Sequence, residues 1–362
     1  MRWLTDTAVD RLRDQADLPD LSDLKYQVIE KLGSGGMGTV YLADDLKLGR
    51  RVAIKVMNIA DSSGALASRM VREAHIVALL EHPSIVPIHD VGTLDDGRVF
   101  YAMKLVQGKR LDEAVASMTS LPDTLRIFQK VCEAMAFAHV QGVVHRDLKP
   151  ENIMVGPFGE VLVMDWGVAK VLSPEVPPAD AATSTSRTRL PEEQDLLATL
   201  PLDGSSVNTS SGTIIGTPAY MSPEQSQGRT DQIDNRSDVY ALGAILYFLT
   251  TGRPPREATE HGDQRGDFES SPRRPRQLNP KLPRAVEAIC LKAMSDRRED
   301  RYGGADEVGA DVLRFLDGNP VNAYPENLFE KTGRWIGKNR FLVMLIIAYL
   351  MMRLVVFFFV GR

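Results

Sequence analysis

The sequence predicts an α+β fold, with strands gathered near the start and helices after them. Two observations carry that prediction. Tyr26 to Ile54 alternates in the manner of a hairpin: Tyr26-Gln27-Val28-Ile29-Glu30-Lys31-Leu32, a glycine cluster, Thr39-Val40-Tyr41-Leu42-Ala43, and after a turn Arg51-Val52-Ala53-Ile54-Lys55. Val99 to Leu105 is a further β-prone run. Helical periodicity appears once among these runs, in Ala65 to Glu81, and then dominates in Leu125 to Val140, Asn235 to Thr250, Pro283 to Met294 and Gly304 to Leu316. Strands segregated from helices in this way favour α+β over alternating α/β. At 362 residues, 43% hydrophobic and 25% charged, the chain has the composition of an ordinary globular protein with a sizeable core.

Charge and cysteine usage narrow the function. A formal charge of −5 offers no basic footprint, so nucleic acid is not an expected partner. Cys132 and Cys290 sit far apart inside apolar helical patterns and are expected to be buried thiols of a reducing compartment, without metal-ligand spacing. Met1 to Asp20 mixes acids and bases without an apolar core, so no cleavable signal peptide is expected.

The chemistry is concentrated in His145-Arg146-Asp147-Leu148-Lys149-Pro150-Glu151-Asn152, which follows a short apolar strand. A carboxylate, an amine and a carboxamide so close together suit phosphoryl transfer, where a protein mainly positions groups and balances charge. Asp147 can accept or orient an incoming hydroxyl, Lys149 can neutralise a transferring phosphate, and Asn152 can hold a metal through its side-chain oxygen. A polar turn before a hairpin is the alternative for any lone His-Arg-Asp; the complete octapeptide argues against it.

This octapeptide resembles the catalytic loop of the eukaryotic-like (Hanks-type) protein kinases found in bacteria, and Lys149 resembles the serine/threonine branch. The resemblance implies a two-lobed kinase fold with a small β-rich N-lobe and a larger helical C-lobe, and other motifs fall where that family would put them. Gly33-Ser34-Gly35-Gly36-Met37-Gly38-Thr39-Val40 fits G-x-G-x-x-G-x-V, and the β-prone run after it separates it from a dinucleotide fingerprint, in which a helix follows the glycines. The family pattern assigns ATP contacts to Leu32, to Gly33 through Val40, and to Ala53, Lys55, Glu73, Met103, Lys104, Val106 and Met154. Within that set Lys55 would hold the α- and β-phosphates, Glu73 would pair with Lys55, Met103 would be the gatekeeper, and Met154 the floor of the adenine pocket. Lys104 stands where an acid is common, but its contact to the base would be made by backbone.

Asp165-Trp166-Gly167 takes the place of Asp-Phe-Gly, and Asp165 with Asn152 would hold magnesium, manganese being the alternative ion. Gly216-Thr217-Pro218-Ala219-Tyr220-Met221-Ser222-Pro223-Glu224 resembles the substrate-docking loop, with Thr217 expected to touch Asp147 and Lys149 and so join them as a catalytic residue. Asp238 resembles the acid that braces the catalytic loop, and Arg301 is expected to pair with Glu224. His139 is read as a packed helix residue without chemistry. Between Asp165 and Glu224 a Ser/Thr/Pro-rich insertion, about 172–211, extends the activation segment. Arg146 is expected to pair with a phosphate on Thr209, Ser211 or Thr213.

The expected organisation is a lead-in over 1–25, a kinase domain over 26–317 with lobes 26–103 and 108–317, a basic juxtamembrane stretch over 318–340 and a transmembrane helix over 341–360. Phe341 to Val360 is apolar except for Arg353, and twenty residues at ~1.5 Å each span roughly 30 Å, one bilayer core. Lys331, Arg334, Lys338 and Arg340 precede it, which puts the kinase on the cytoplasmic side of a single-pass cell-membrane protein. Expected partners are ATP, proteins with Ser/Thr acceptors, the lipid bilayer and a second copy of the chain. The alternative is a membrane-tethered pseudokinase scaffold, and Lys55, Asp147 and Asp165, all present, argue against it. A small-molecule kinase on the same fold is disfavoured by the intact docking loop.

Overall fold

The computed structural model describes residues 18–19, 21, 24–35, 38–58, 64–118, 120–172, 218–256 and 272–360. Gly36, Met37, Thr217, most of the insertion, and Thr209, Ser211 and Thr213 lie outside the described residues, as does most of the lead-in.

The first lobe is a five-stranded antiparallel sheet in the order β1-β2-β3-β5-β4, formed by β1 (Tyr26–Ser34), β2 (Gly38–Asp45), β3 (Arg50–Met57), β4 (Ile88–Thr93) and β5 (Val99–Lys104). Among the described residues its one helix, α1 (Ala65–Ala78), lies between β3 and β4 in sequence. Side chains alternate across a strand, and that period sorts the lobe into two layers. Val52, Ile54 and Val56 of β3 join Phe100 and Ala102 of β5 in a small cluster with Tyr26 and Tyr41 on one face. Ala53 and Met57, with Tyr101 and Met103, enter the main core with Met70, Ala74 and Val77 of α1. Lys55, two residues from both Ala53 and Met57, is thereby turned toward α1.

The second lobe is helical. Helix α2 (Leu121–Val140) is capped by Ser120, whose hydroxyl accepts from Asp123 N, and buries Leu125, Phe128, Val131, Cys132 and Met135. Ahead of it β6 (Lys109–Arg110) and after it β7 (Val143–Val144), β8 (Ile153–Val155), β9 (Val161–Val163) and β10 (Lys170–Val171) form two small sheets, β6-β8-β9 and β10-β7, around the loop that links them. Helix α3 (Asn235–Thr251) is buried on nearly every side, as a core helix must be when it is apolar all round. It starts on the Asp234 cap and stops at Gly252, whose φ of 74° is left-handed. Helices α4 (Arg284–Ala293) and α5 (Ala305–Leu316) pack on α3 and α2. Gly243 permits the α3–α4 approach, since a Cβ there would stand 2.7 Å from Met294 Cγ and 2.8 Å from Ala293 Cβ. Cys132 and Cys290 are 1% and 0% exposed, and burial pushes both thiols well above their ordinary values.

Two further helices close the chain, α6 (Leu328–Lys338) and α7 (Arg340–Val360). Here the expectation of one spanning helix changes. Among the described residues no single helix is long and apolar enough to cross a membrane; Glu330–Lys338 and Phe341–Leu354 pass that test only as a pair, bent by 91°.

Candidate active site

The loop after β7 is shaped from below by one buried carboxylate. Asp238, in the first turn of α3, accepts from His145 N through Oδ2 at 2.8 Å and from Arg146 N through Oδ1 at 2.9 Å. Arg146 has a φ of 71°, a left-handed conformation that a side-chain-bearing residue keeps only when its surroundings enforce it. Asp238 supplies that enforcement from one side. From the other, Gln225 Nε2 donates to Arg146 O at 2.7 Å, and Gln225 is itself held by the Ser222 hydroxyl. Burial would raise the Asp238 carboxyl, but its bond to His139 and the charges of His139 and His145 bring it below the usual carboxylate range.

His139 is therefore more than a packed helix residue. Its Nε2 lies 2.9 Å from Asp238 Oδ2, 99 residues away in sequence, and its buried Nδ1 has no partner among the described residues. His145, fully buried, tilts against Trp166 with centroids 4.6 Å apart. Its Nε2 lies 3.1 Å from Met164 O and its Nδ1 lies 3.3 Å from Asp147 N. The aromatic side chain of Trp166 thus props the histidine that orients the Asp147 backbone.

At the loop's surface Asp147 Oδ2 lies 3.0 Å from Lys149 Nζ. Asn152 Nδ2 donates to Asp147 O at 2.8 Å and lies 3.4 Å from Asp147 Oδ2. Asn152 O in turn accepts from Met164 N at 2.8 Å, which ties the loop to the segment that delivers Asp165. Asp165 has a φ of 56° and a half-exposed side chain 3.5 Å from Lys55 Nζ. Lys55 reaches Glu73 Oε1 at 2.9 Å and Oε2 at 3.2 Å, as the alternation of β3 requires. The Tyr101 hydroxyl also donates to Glu73 Oε1, at 2.9 Å; sequence reasoning missed this partner. Tyr101 stands opposite Lys55 in the β3–β5 register, and that cross-strand pairing is the signal that could have found it.

Electrostatics agree with the geometry. Burial pulls the Lys55 ammonium down, but Glu73 and Asp165 outweigh it and hold the group above its ordinary value. Burial raises Asp165, and Lys55 and His145 reverse this to leave it below the usual carboxylate range. Tyr101 is pushed well up, by burial first and by Glu73 second. Asp165 contributes a charged carboxylate and Asn152 an amide oxygen; hard oxygen donors of this kind fit a small divalent cation.

The nucleotide-facing positions divide. Val40, Ala53, Met103 and Val106 belong to the main apolar cluster, and Ala53 pairs with Met103 across β3 and β5. Leu32 is exposed and Met154 half-buried, both outside that cluster. Lys104 N is already bonded to Pro87 O, at 3.1 Å, which leaves the carbonyl rather than the amide of Lys104 for a base. The glycine loop carries a cross-tie that the sequence did not announce. Asn58 Nδ2 donates to Gly35 O, Asn58 Oδ1 accepts from Thr39 Oγ1, and Thr39 Oγ1 lies 3.0 Å from Ser34 Oγ. Gly38 must be glycine here, because a Cβ would stand 2.6 Å from Val56 O.

A sheet lobe that presents a lysine–glutamate pair to a catalytic-type loop braced on a helical lobe defines the catalytic domain of a protein kinase. Residues 26–195 match the protein kinase domain family. The chain is 35% identical over 320 residues to the serine/threonine-protein kinase PknB of Mycobacterium leprae (strain TN), with 84% of this chain and 45% of that protein covered. It is 32% identical over 331 residues to the serine/threonine-protein kinase PknD of Protochlamydia amoebophila (strain UWE25), with 84% of this chain and 31% of that protein covered. The crystal structure of the Mycobacterium tuberculosis PknI kinase domain superposes with a TM-score of 0.55 at 24% identity, covering 81% of this chain and 96% of that one, a likeness of fold. Residues 26–195 thus resemble a protein kinase domain, and the relatives that the chain resembles are bacterial serine/threonine-protein kinases. It spans less than half the length of the curated relatives it matches.

Proposed function

We propose that the chain transfers the γ-phosphoryl group of ATP to serine or threonine hydroxyls of proteins, its own activation segment among them, while tethered to a membrane through α7. The observation that carries the reading is the joint placement of Asp147, Lys149, Asn152, Asp165 and the Lys55–Glu73 pair within one continuous set of hydrogen bonds.

In this reading the Asp147 carboxylate orients the acceptor hydroxyl and takes its proton as the oxygen–phosphorus bond forms and the bond to ADP breaks. Lys149, 3.0 Å from Asp147, offsets charge on the phosphoryl group in transit. Lys55, aimed by Glu73 and Tyr101, holds the α- and β-phosphates under the amides of the glycine loop, and the Lys104 carbonyl and Val106 backbone hold the base. Asp165 and Asn152 would hold magnesium, whose positive charge would offset that of the phosphates. Thr217 would steady Asp147 and Lys149, and Arg146 would take a phosphate placed on the activation segment.

The membrane reading rests on the apolar run of α7, which by length and composition suits a membrane only together with Glu330–Lys338. Its apolar side chains from Phe341 to Leu354 are exposed or nearly so. Arg353 lies toward one end, where a long side chain reaches the interface at modest cost. Basic residues before α7 put the kinase domain on the cytoplasmic face.

The test is phosphate transfer from labelled Mg-ATP by the full chain in detergent or vesicles, alone and with a generic basic protein, beside Asp147→Asn. Label on Ser or Thr that disappears in the variant supports the reading. Bound ATP without any incorporation would replace it with a nucleotide-binding scaffold.

A further inference from the structure

Helix α6 is locally basic in a chain whose formal charge is −5. From Lys331 to Arg340 it and the break after it carry four basic residues and no acid. The helical period places Thr332, Trp335 and Ile336 on one side and Lys331 with Lys338 on the adjoining one. Trp335 and Ile336 are 52% and 43% exposed, so the apolar side is not consumed by the core. The start of the helix is nonetheless fixed to the large lobe. Glu330 accepts from the Tyr324 hydroxyl at 3.0 Å and from Asn327 N at 3.1 Å, and lies 3.7 Å from Arg284. Between α6 and the turn after α5 lies an open cavity of about 480 Å³, lined by Gly318, Asn319, Lys331, Thr332, Trp335 and Lys338.

From these observations we infer that α6 lies flat on the bilayer, with Trp335 and Ile336 at headgroup depth and Lys331 and Lys338 on the phosphates of anionic lipids. The inference rests on the reading that α7 inserts. The 91° bend between α6 and α7 supplies the orientation: a helix at a right angle to a spanning segment lies in the membrane plane. Charge supplies the lipid class, since two lysines beside a groove open to solvent favour an anionic leaflet, and an indole with one apolar edge and one polar N–H suits the interface. The consequence is mechanical. A helix fixed at its start to the large lobe by Glu330 and laid on the lipid at its exposed side would set the distance and tilt of the active site above the membrane.

The test uses the full chain with Ile336→Cys carrying an environment-sensitive fluorophore. Cys132 and Cys290 are buried in the folded protein, so the label goes to residue 336. Gly337→Cys serves as the comparison, because a Cβ there meets nothing within 4 Å and the position falls on the other side of the helix. Vesicles of pure phosphatidylcholine are compared with vesicles containing phosphatidylserine, and flotation with resistance to alkaline carbonate reports insertion of α7 independently. The expected result is a blue-shifted, brighter probe at 336 but not at 337, stronger in the anionic vesicles. In Lys331→Glu/Lys338→Glu the ratio of docked to undocked probe should fall by about twentyfold or more, while transfer to a soluble peptide persists.

A silent probe in a chain that floats and resists carbonate would overturn the inference and leave the tether standing. A chain that does not float removes both. Equal signals in both vesicles, unchanged by the double substitution, would refute the anionic lipid contact. A response reproduced by inorganic phosphate without vesicles would also overturn the inference, in favour of a soluble-anion site.

Discussion

Lys55–Glu73 in the small lobe and Arg301–Glu224 in the large lobe are both close ion pairs, at 2.9 Å and 2.7 Å, and both glutamates are buried. Their surroundings are opposite. Arg301 spends every nitrogen inside the protein: on both oxygens of Glu224 and on the carbonyls of Ser295, Asp296 and Arg236, with the Ser237 hydroxyl completing Glu224. Lys55 is partly open to solvent and stands near the half-exposed carboxylate of Asp165, so its ammonium still has room for an incoming anion. A saturated pair can only hold the fold, whereas an unsaturated one can hold a ligand.

That contrast is broken most sharply by removing each cation. Arg301→Met deletes the charge partner of a buried carboxylate and removes the donor to three backbone carbonyls, so a loss of about 3–5 kcal/mol is expected in denaturant unfolding. The comparison would fail if Arg301→Met unfolded like the wild type. Lys55→Met should act on chemistry: phosphate transfer should fall about 10²–10³-fold, with a smaller loss of stability than Arg301→Met, because Glu73 keeps the Tyr101 bond. Equal stability losses for the two variants would show that both pairs are architectural.

pH separates the pairs in opposite directions. Burial raises Glu224, but the Arg301 bonds and charge, with the Ser237 hydroxyl, bring it from 4.5 down to about 2. A depressed carboxyl contributes stability that is complete above its unfolded value and disappears as pH falls from there toward about 2. The full amount is about 3 kcal/mol, of which about 2 kcal/mol should be lost between pH 6 and pH 3 in wild type but not in Arg301→Met, read from denaturant unfolding at the two pH values. Lys55 is raised, so its contribution is complete below 10.5 and is lost only as pH rises through the higher folded value. Acid should therefore unsettle the large-lobe pair while Lys55 stays charged, and alkali should reverse the order.

Much of this arrangement was readable beforehand, and what was missed has a common cause. The octapeptide from His145 to Asn152, the lysine of β3 and the glutamate of α1 are linear signals, since each is set by its neighbours in sequence. The Glu224–Arg301 pair, 77 residues apart, was reachable only through resemblance. His139 was passed over because its helical spacing from Met135 looked like core, and only the packing of α2 on α3 brings it to Asp238. Asn58 sits just past a strand, where nothing local marks it as the tie of the glycine loop. The bend at Asn339 and Arg340, which sets α6 at 91° to α7, was not legible because hydropathy carries no signal of a change in direction.

The smallest expected effect is also the most discriminating, because it trims one hydroxyl from each pair and leaves both charges in place. Tyr101→Phe keeps the ring in the core and deletes only the 2.9 Å bond to Glu73 Oε1; Ser237→Ala deletes the 2.8 Å bond to Glu224 Oε1. Each should cost about 1 kcal/mol of stability, the net worth of one buried hydrogen bond. The difference lies in function. Glu73 with one anchor fewer aims Lys55 less firmly, so Tyr101→Phe should raise the KM for ATP about threefold to tenfold, whereas Ser237→Ala should leave it unchanged. If both variants moved the KM alike, the large-lobe pair would be coupled to nucleotide binding. If neither did, Lys55 would hold its position on Glu73 without help from Tyr101, and the open pair would be as self-sufficient as the closed one.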